Sequence, residues 1–205
     1  MSRILITGAS GLLGTRLTQL LLERGHTVSH LGRSKRPGSI PSFTWDAEAG
    51  TMEPEALQNI DAVIHLAGAG IADEAWSAKR KKEILESRTK STALLVKELN
   101  KAGNQVKVLV SGSAIGFYGM TLSDILFTEN DKPGADFLAE VVKAWEHEAD
   151  QLTAKRLVKI RTGVVLSRND GALKEIAQPV RYGFGAPLGT GRQYVSWIHI
   201  DDICT

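Results

Sequence analysis

The chain has 205 residues, 42% of them hydrophobic and 23% charged, a globular composition that excludes global disorder or a fibre and allows roughly 70% of the unfolded surface to be buried. One large domain is expected, since two full domains would need more chain. Lys and Arg number 25 against 23 Asp and Glu, leaving a net charge of +2, too small for a nucleic-acid partner recruited by bulk electrostatics. The single cysteine, Cys204, excludes an internal disulfide framework and a cysteine-based zinc site, so no metal is expected and a reducing, cytoplasmic setting fits. No apolar run approaches the ~18–20 residues of a membrane span, and the N-terminal one is too short for a signal segment.

Taken in order, Arg3–Thr7 is an apolar, β-branched strand. Leu13, Leu17, Leu20 and Leu21 then recur at helical spacing, and Gly25 stops that helix. Residues 27–31 read as a second strand, 34–42 as a surface loop rich in Pro, Gly, Ser and basic residues, 42–45 as a short third strand, and 62–66 as a buried fourth. A long polar helix covers 75–101 with Ile84, Leu94, Leu95 and Leu99 on its apolar face. Residues 106–110 form a fifth strand ending at Ser111, and 112–136 a loop. Leu138, Val141, Val142, Trp145, Ala149 and Leu152 hold a 3.6-residue stripe, and 158–160 is the sixth strand. Strands separated by helices require right-handed crossovers and a parallel sheet covered on both faces. The fold class is α/β, a doubly wound parallel sheet in three α/β/α layers, the Rossmann arrangement.

Thr7-Gly8-Ala9-Ser10-Gly11-Leu12-Leu13-Gly14 follows the first strand and opens the first helix. Gly8 permits a sharp turn, Gly11 lets backbone approach a diphosphate, and Gly14 allows close packing behind the helix start. Free N–H groups and the positive dipole end there suit a dinucleotide. At the end of the second strand no Asp or Glu stands ready for ribose hydroxyls. The chain instead reads Gly32-Arg33-Ser34-Lys35-Arg36, and Arg33 is placed to meet a 2′-phosphate, which favours NADP (NADPH) over NAD.

These motifs, with His65-Leu66-Ala67-Gly68-Ala69-Gly70, Ser111-Gly112-Ser113-Ala114-Ile115-Gly116-Phe117-Tyr118-Gly119 and Trp197-Ile198-His199-Ile200-Asp201-Asp202, resemble the extended short-chain dehydrogenase/reductase superfamily. Phe137-Leu138-Ala139-Glu140-Val141, Trp145-Glu146, Arg161-Thr162-Gly163-Val164-Val165-Leu166 and Gly185-Ala186-Pro187-Leu188-Gly189 resemble its atypical sugar-nucleotide-epimerase-like subgroup, which carries the label of cell-division inhibitor. The resemblance implies that Thr7, Gly8, Ser10, Gly11, Leu12 and Leu13 wrap the diphosphate, and that Arg33 meets the adenosine phosphate. It implies that Leu66, Ala67 and Gly68 line the ribose channel, with Arg161, Thr162, Gly163 and Val165 beside the nicotinamide. Ser113 and Ser111 fall where such proteins carry a catalytic hydroxyl, and His199 and Asp201 where they shape the substrate pocket. It further implies that residues 1–205 are an NAD(P)-binding Rossmann domain, and that 170–205 begin a substrate-binding C-terminal region that relatives continue for roughly a hundred residues.

One departure bears on the chemistry. Ordinary members use a Tyr with a Lys four residues later, whose ammonium helps the phenol exchange a proton. Here Tyr118, Tyr182 and Tyr194 are followed at that distance by Leu122, Ala186 and Ile198. Tyr118 is the nearest phenol and the candidate donor, with Ser113 orienting a substrate carbonyl or hydroxyl and Glu140 a lesser candidate. His65 reads as a satisfied core histidine, and Lys79-Arg80-Lys81-Lys82 as a solvated face paired with Glu83 and Glu86. Two functions follow. One is an NADP-dependent oxidoreductase or epimerase acting on a hydroxyl or carbonyl small molecule such as a nucleotide sugar. The other is an NADP(H)-binding sensor or regulatory module without catalysis, expected for this polypeptide because its substrate pocket would be incomplete. A homodimer is the one protein partner considered.

Overall fold

The structure, a computed structural model, describes residues 1–205 apart from 103–105, 121–124, 154–155, 169 and 188–189. Strand β1 (Arg3–Thr7) leads through the glycine turn into helix α1 (Leu12–Glu23). Helix α1 ends where Gly25 adopts φ +77° and its N–H, with that of His26, caps the Leu22 and Leu21 carbonyls. Strands β2 (Thr27–Gly32) and β3 (Ser42–Asp46) follow. The Asp46 carboxylate then accepts the N–H groups of Glu48 and Ala49, each at 2.9 Å, and a turn through Gly50 at φ +67° brings back the two-residue strand β4 (Thr51–Met52).

Strand β5 (Ala62–His65) precedes helix α2 (Ala78–Lys101). The helix starts at Ser77, whose hydroxyl accepts the Arg80 N–H, so residues 75–77 lie ahead of the helix and not within it. Strand β6 (Val108–Ala114) is longer at its C-terminal end than the apolar run suggests, because Ser111 and Ser113 keep β register with strand β7 (Arg156–Thr162). Helix α3 (Phe137–Asp150), capped by Asp136, lies between them in the chain. Besides β4, four elements of the C-terminal part escape the sequence pattern. Strand β8 (Val164–Leu166) and strand β9 (Trp197–His199) form a separate parallel pair, with helices α4 (Ala172–Arg181) and α5 (Ile200–Cys204).

The main sheet runs β4-β3-β2-β1-β5-β6-β7. All its neighbours are parallel except the β3–β4 hairpin. It is the doubly wound α/β fold expected from the alternation of elements. Alternate residues of each strand serve opposite layers. Leu5, Leu31, Val63 and Leu109 pack with Leu94, Leu95 and Leu99 of α2, while Ile4, Ile6 and Val28 pack with Leu17 and Leu21 of α1. Chain order reverses between β1 and β5, which makes their C-terminal ends the switch point where open α/β sheets bind ligands.

Candidate functional site

At the switch point the loops after β1 and β5 touch. A methyl on Gly8 would stand 2.7 Å from the Leu66 carbonyl group, and Gly8 holds φ +68°, so two independent constraints demand glycine there. Gly14 is required by the turn itself, its Cβ position lying 2.4 Å from the Gly8 carbonyl oxygen and 2.6 Å from Ala9 Cα. Gly11 differs. Its Cβ would meet nothing closer than 3.4 Å, so the protein leaves room there that a ligand would use. Gly11 is also the N-cap of α1, with no side-chain cap and no acidic residue in the first turn. The first N–H to find an i−4 carbonyl is that of Thr15, which leaves the amides of Leu12 and Leu13 at the helix start as donors for an anion. Ser10, Gly11 and Leu12 line a cleft of about 220 Å³ with Thr15, Arg16, Gln19, Asp170 and Ile200.

At the far end of the same sheet edge, Arg33 is exposed and has no ion-pair partner among the described residues. It borders a second cleft with Trp45, Asp46 and Glu53. Lys35, two residues on, is paired with Glu53 at 3.2 Å. The terminus of β2 carries no acid, and the uncapped α1 terminus carries no competing side chain. Both features fit a phosphorylated dinucleotide.

Thr7 does not offer its side chain to that cleft. Its hydroxyl is fully buried and accepts the Leu66 and Ala67 N–H groups at 3.1 and 3.2 Å. Its own proton therefore goes to His65 Nδ1, 2.7 Å away, and Nε2–H of His65 donates to Thr92 Oγ1 at 2.9 Å. Burial pushes the His65 pKa down to about 4. His65 is thus a neutral core residue that locks the β1 and β5 loops together, and Thr7 supports the glycine turn from below.

On β6, Ser111 is buried and donates to the Gly112 carbonyl. Ser113 donates to Glu146 Oε1 at 2.5 Å. Glu146, on α3 and 5% exposed, also accepts Arg161 Nε at 2.8 Å and Nη2 at 2.9 Å, with Lys159 Nζ 3.6 Å away. Burial alone would raise the Glu146 pKa. The hydrogen bonds from Arg161 and Ser113 outweigh it and hold the carboxylate below its ordinary value. Arg161 also donates to the Tyr118 phenol oxygen at 3.0 Å and lies 3.4 Å over the Phe117 ring.

This cluster joins three expected site residues, Ser113, Tyr118 and Arg161, through a carboxylate that sequence reasoning did not single out. The spacing held the signal: position 146 is four residues after Val142 and three before Ala149, inside the buried stripe. Because its proton is committed to Glu146, Ser113 is able to accept from a substrate hydroxyl but not to donate to a carbonyl. Where α3 faces the turn after β6 it presents Leu138 and Val142 against Gly116, so neither phenol nor amine comes from that helix. Glu140 is exposed on α3.

The remaining expected residues divide. Leu66 and Ala67 are held by Thr7, and Gly68 is exposed. Thr162 bonds the Ile160 carbonyl. Gly163 must be glycine because its Cβ would lie 2.6 Å from the Ser196 carbonyl oxygen, where β8 meets β9, and Val165 sits half-buried in β8. His199 caps α5 by accepting the Asp201 N–H, and Asp201 pairs with Arg16 of α1 at 2.7 Å. Both pin α5 beside the glycine turn and stand apart from the Ser113 cluster. In the basic run, Lys82 pairs with Glu86 as expected, but Arg80 is buried, bound to Glu83, Asp73 and the Gly70 carbonyl. Of the Gly185–Gly189 stretch, Leu188 and Gly189 lie outside the described residues.

Residues 4–140 match the family described as NAD dependent epimerase/dehydratase. The chain belongs to that family. An epimerase family protein of Mycobacterium bovis is 39% identical over 201 residues, which are 97% of this epimerase/dehydratase-family chain and 65% of that protein. A crystal structure of the human epimerase family protein SDR39U1 (isoform 2) with NADPH superposes at TM-score 0.84 with 36% identity, covering 98% of this chain and 67% of that one. A nucleoside-diphosphate sugar epimerase from Corynebacterium glutamicum gives TM-score 0.84 and 35% identity, covering 99% and 42%. The chain thus spans about two thirds of the length of its curated relatives. Among the described residues no helix is long and apolar enough to cross a membrane, and none group to hold a metal ion.

Proposed function

We propose that this family member binds NADP(H), and that within the sugar-nucleotide-epimerase-like subgroup it serves oxidation, reduction or epimerisation at a hydroxyl or carbonyl of a small molecule, nucleotide sugars being the first class to assay. The observation that carries the reading is the α1 terminus: uncapped, free of acid, with Gly11 open where a Cβ would otherwise fit. The NADPH in the human relative's structure supports it. Gly8, Ser10, Gly11, Leu12 and Leu13 would hold the diphosphate through backbone amides. Arg33 would hold the 2′-phosphate, adding about 1.5–3 kcal/mol per charge-assisted hydrogen bond. Leu66, Ala67 and Gly68 would wall the ribose channel. When bound, the nicotinamide supplies a hydride donor or acceptor.

The chain's own residues would then act on the substrate. Ser113, its proton fixed by Glu146, would accept from a substrate hydroxyl and orient its carbon. The Tyr118 phenol, its oxygen already accepting from Arg161, retains an O–H to give, and would move a proton to or from the substrate oxygen. The exposed apolar face of α4, with Leu173, Ile176 and Val180, marks where residues 170–205 would lead into a substrate-closing region. An absorbance assay of NADPH oxidation against a panel of nucleotide sugars and small carbonyls tests the catalytic reading.

The second reading, an NADP(H)-binding sensor, is favoured by the commitment of the Ser113 proton and by the apolar face α3 shows to the site. Tight NADPH binding with no turnover across the panel would select it, and oxidation of NADPH at enzyme-like rates by the 205-residue chain would remove it. The proposed setting is cytoplasmic.

A further inference from the structure

Glu53 lines the same cleft as Arg33, a space of about 470 Å³, and has no part in the glycine turn or the Ser113 cluster. The β3–β4 hairpin places it there. Beyond the Trp45–Met52 pair the Glu53 N–H donates to the Thr44 carbonyl at 3.0 Å, and the Thr44 hydroxyl donates back to Glu53 Oε1 at 2.7 Å. The Lys35 ammonium, two residues after Arg33, stands 3.2 Å from that same oxygen. The Glu53 side chain is 28% exposed and that of Lys35 65%. The carboxylate is therefore the fixed member of the pair, and the amine is the one free to move.

A second carboxylate, Asp46, borders the cleft, but its Oδ1 is taken by the Glu48 and Ala49 amides. Glu53 is thus the carboxylate that shares the cleft with whatever Arg33 binds. The hydrogen bond from Thr44 first, and Lys35 after it, hold the Glu53 carboxyl below its ordinary value although burial opposes them, so the charge is present at neutral pH. A dianionic phosphate beside Arg33 meets that charge in two ways: Glu53 repels it, and Lys35 comes to it already paired. An uncharged ribose hydroxyl meets neither effect.

We propose that Glu53 sets how strongly this cleft prefers a 2′-phosphorylated nucleotide over an unphosphorylated one, holding the preference down by keeping Lys35 paired. The inference rests on reading the Arg33 cleft as the adenosine end of the dinucleotide site, and it adds to that reading the residue that tunes it.

The test is calorimetric titration of the full chain with NADPH and with NADH, on the parent, on Glu53→Gln, and on Glu53→Gln combined with Lys35→Met. The glutamine amide oxygen can still accept from Thr44, so the hairpin is kept, and thermal melting checks that it is. Glu53→Gln should bind NADPH about threefold to tenfold more tightly, since one anion is removed and one amine released, while NADH affinity stays within about twofold of the parent. The double variant restores the neutral balance of the pair and should return NADPH affinity to about the parent value. An NADPH affinity unmoved by Glu53→Gln would overturn the proposal and leave the dinucleotide reading standing. A loss of NADH affinity in Glu53→Gln would also overturn it, by assigning the carboxylate to the ribose hydroxyls. A double variant as tight as Glu53→Gln would overturn the part given to Lys35. Binding of neither nucleotide by any of the folded chains would overturn the dinucleotide reading and this proposal with it.

Discussion

Glu146→Ala is the perturbation whose outcome the geometry specifies most closely. The carboxylate accepts three hydrogen bonds, from Ser113 and from two nitrogens of Arg161, and the two charged side chains are only 6% and 17% exposed. Truncation leaves the guanidinium without its counter-charge and the Ser113 hydroxyl without an acceptor. Breaking one partner of a buried pair costs about 3–5 kcal/mol, against a total stability on the order of 5–15 kcal/mol. For a domain of this size that corresponds to a fall in Tm of roughly 6–20 °C. Urea unfolding of the nucleotide-free chain measures it, with an unchanged m-value as the sign of a pure stability effect. The double variant Glu146→Leu with Arg161→Met should recover much of the loss, because the unpaired charge is gone. A loss below about 1 kcal/mol for Glu146→Ala, or a double variant as unstable as the sum of its singles, would refute the assignment of Glu146 as the charged hub of the site.

Three further outcomes follow from other parts of the structure. Gly11→Ala should change stability by no more than about 1 kcal/mol, since its methyl meets only ordinary contacts, yet lower NADPH affinity by about tenfold or more; thermal melting and titration of one sample read both. Gly8→Ala, forced into φ +68° against the Leu66 backbone, should lose on the order of 3 kcal/mol, and a neutral effect would contradict the described turn. For His65, the folded value of about 4 lies below the ordinary 6.5, so the unfolded chain binds the proton more readily. Stability is then full above pH 6.5 and falls by roughly 3 kcal/mol as the pH drops to about 4; denaturant midpoints across that window should flatten in His65→Gln. The lowered Glu146 value acts further into acid, its contribution being present above the ordinary carboxylate range and lost as pH falls through the folded value.

Much of the architecture is legible in the chain because period and punctuation agree. The β1 run, the leucines of α1 and the stop at Gly25 each specify the same βα unit, and Gly8 and Gly14 are demanded by contacts that the motif spacing implies. What escapes has a physical reason. Strand β4 is two residues held by an Asp46-centred turn, and β8 and β9 pair across some thirty residues of chain, so neither leaves a local pattern. Arg80, Arg88 and Glu146 are charged residues at positions their helical stripes assign to the interior. Composition argues against reading them there, and only tertiary partners explain them. The motif also singles out Thr7 without revealing that its hydroxyl is held by His65, a residue 58 positions away.

Calorimetric titration of the chain with NADPH and with NADH, repeated on Arg33→Asp, bears most directly on the dinucleotide assignment. Saturable binding of NADPH is expected, tighter than NADH by roughly tenfold to several hundredfold, with the preference abolished in Arg33→Asp. A folded chain that binds neither nucleotide would contradict the account, and equal affinity for both in the parent would contradict the role given to Arg33.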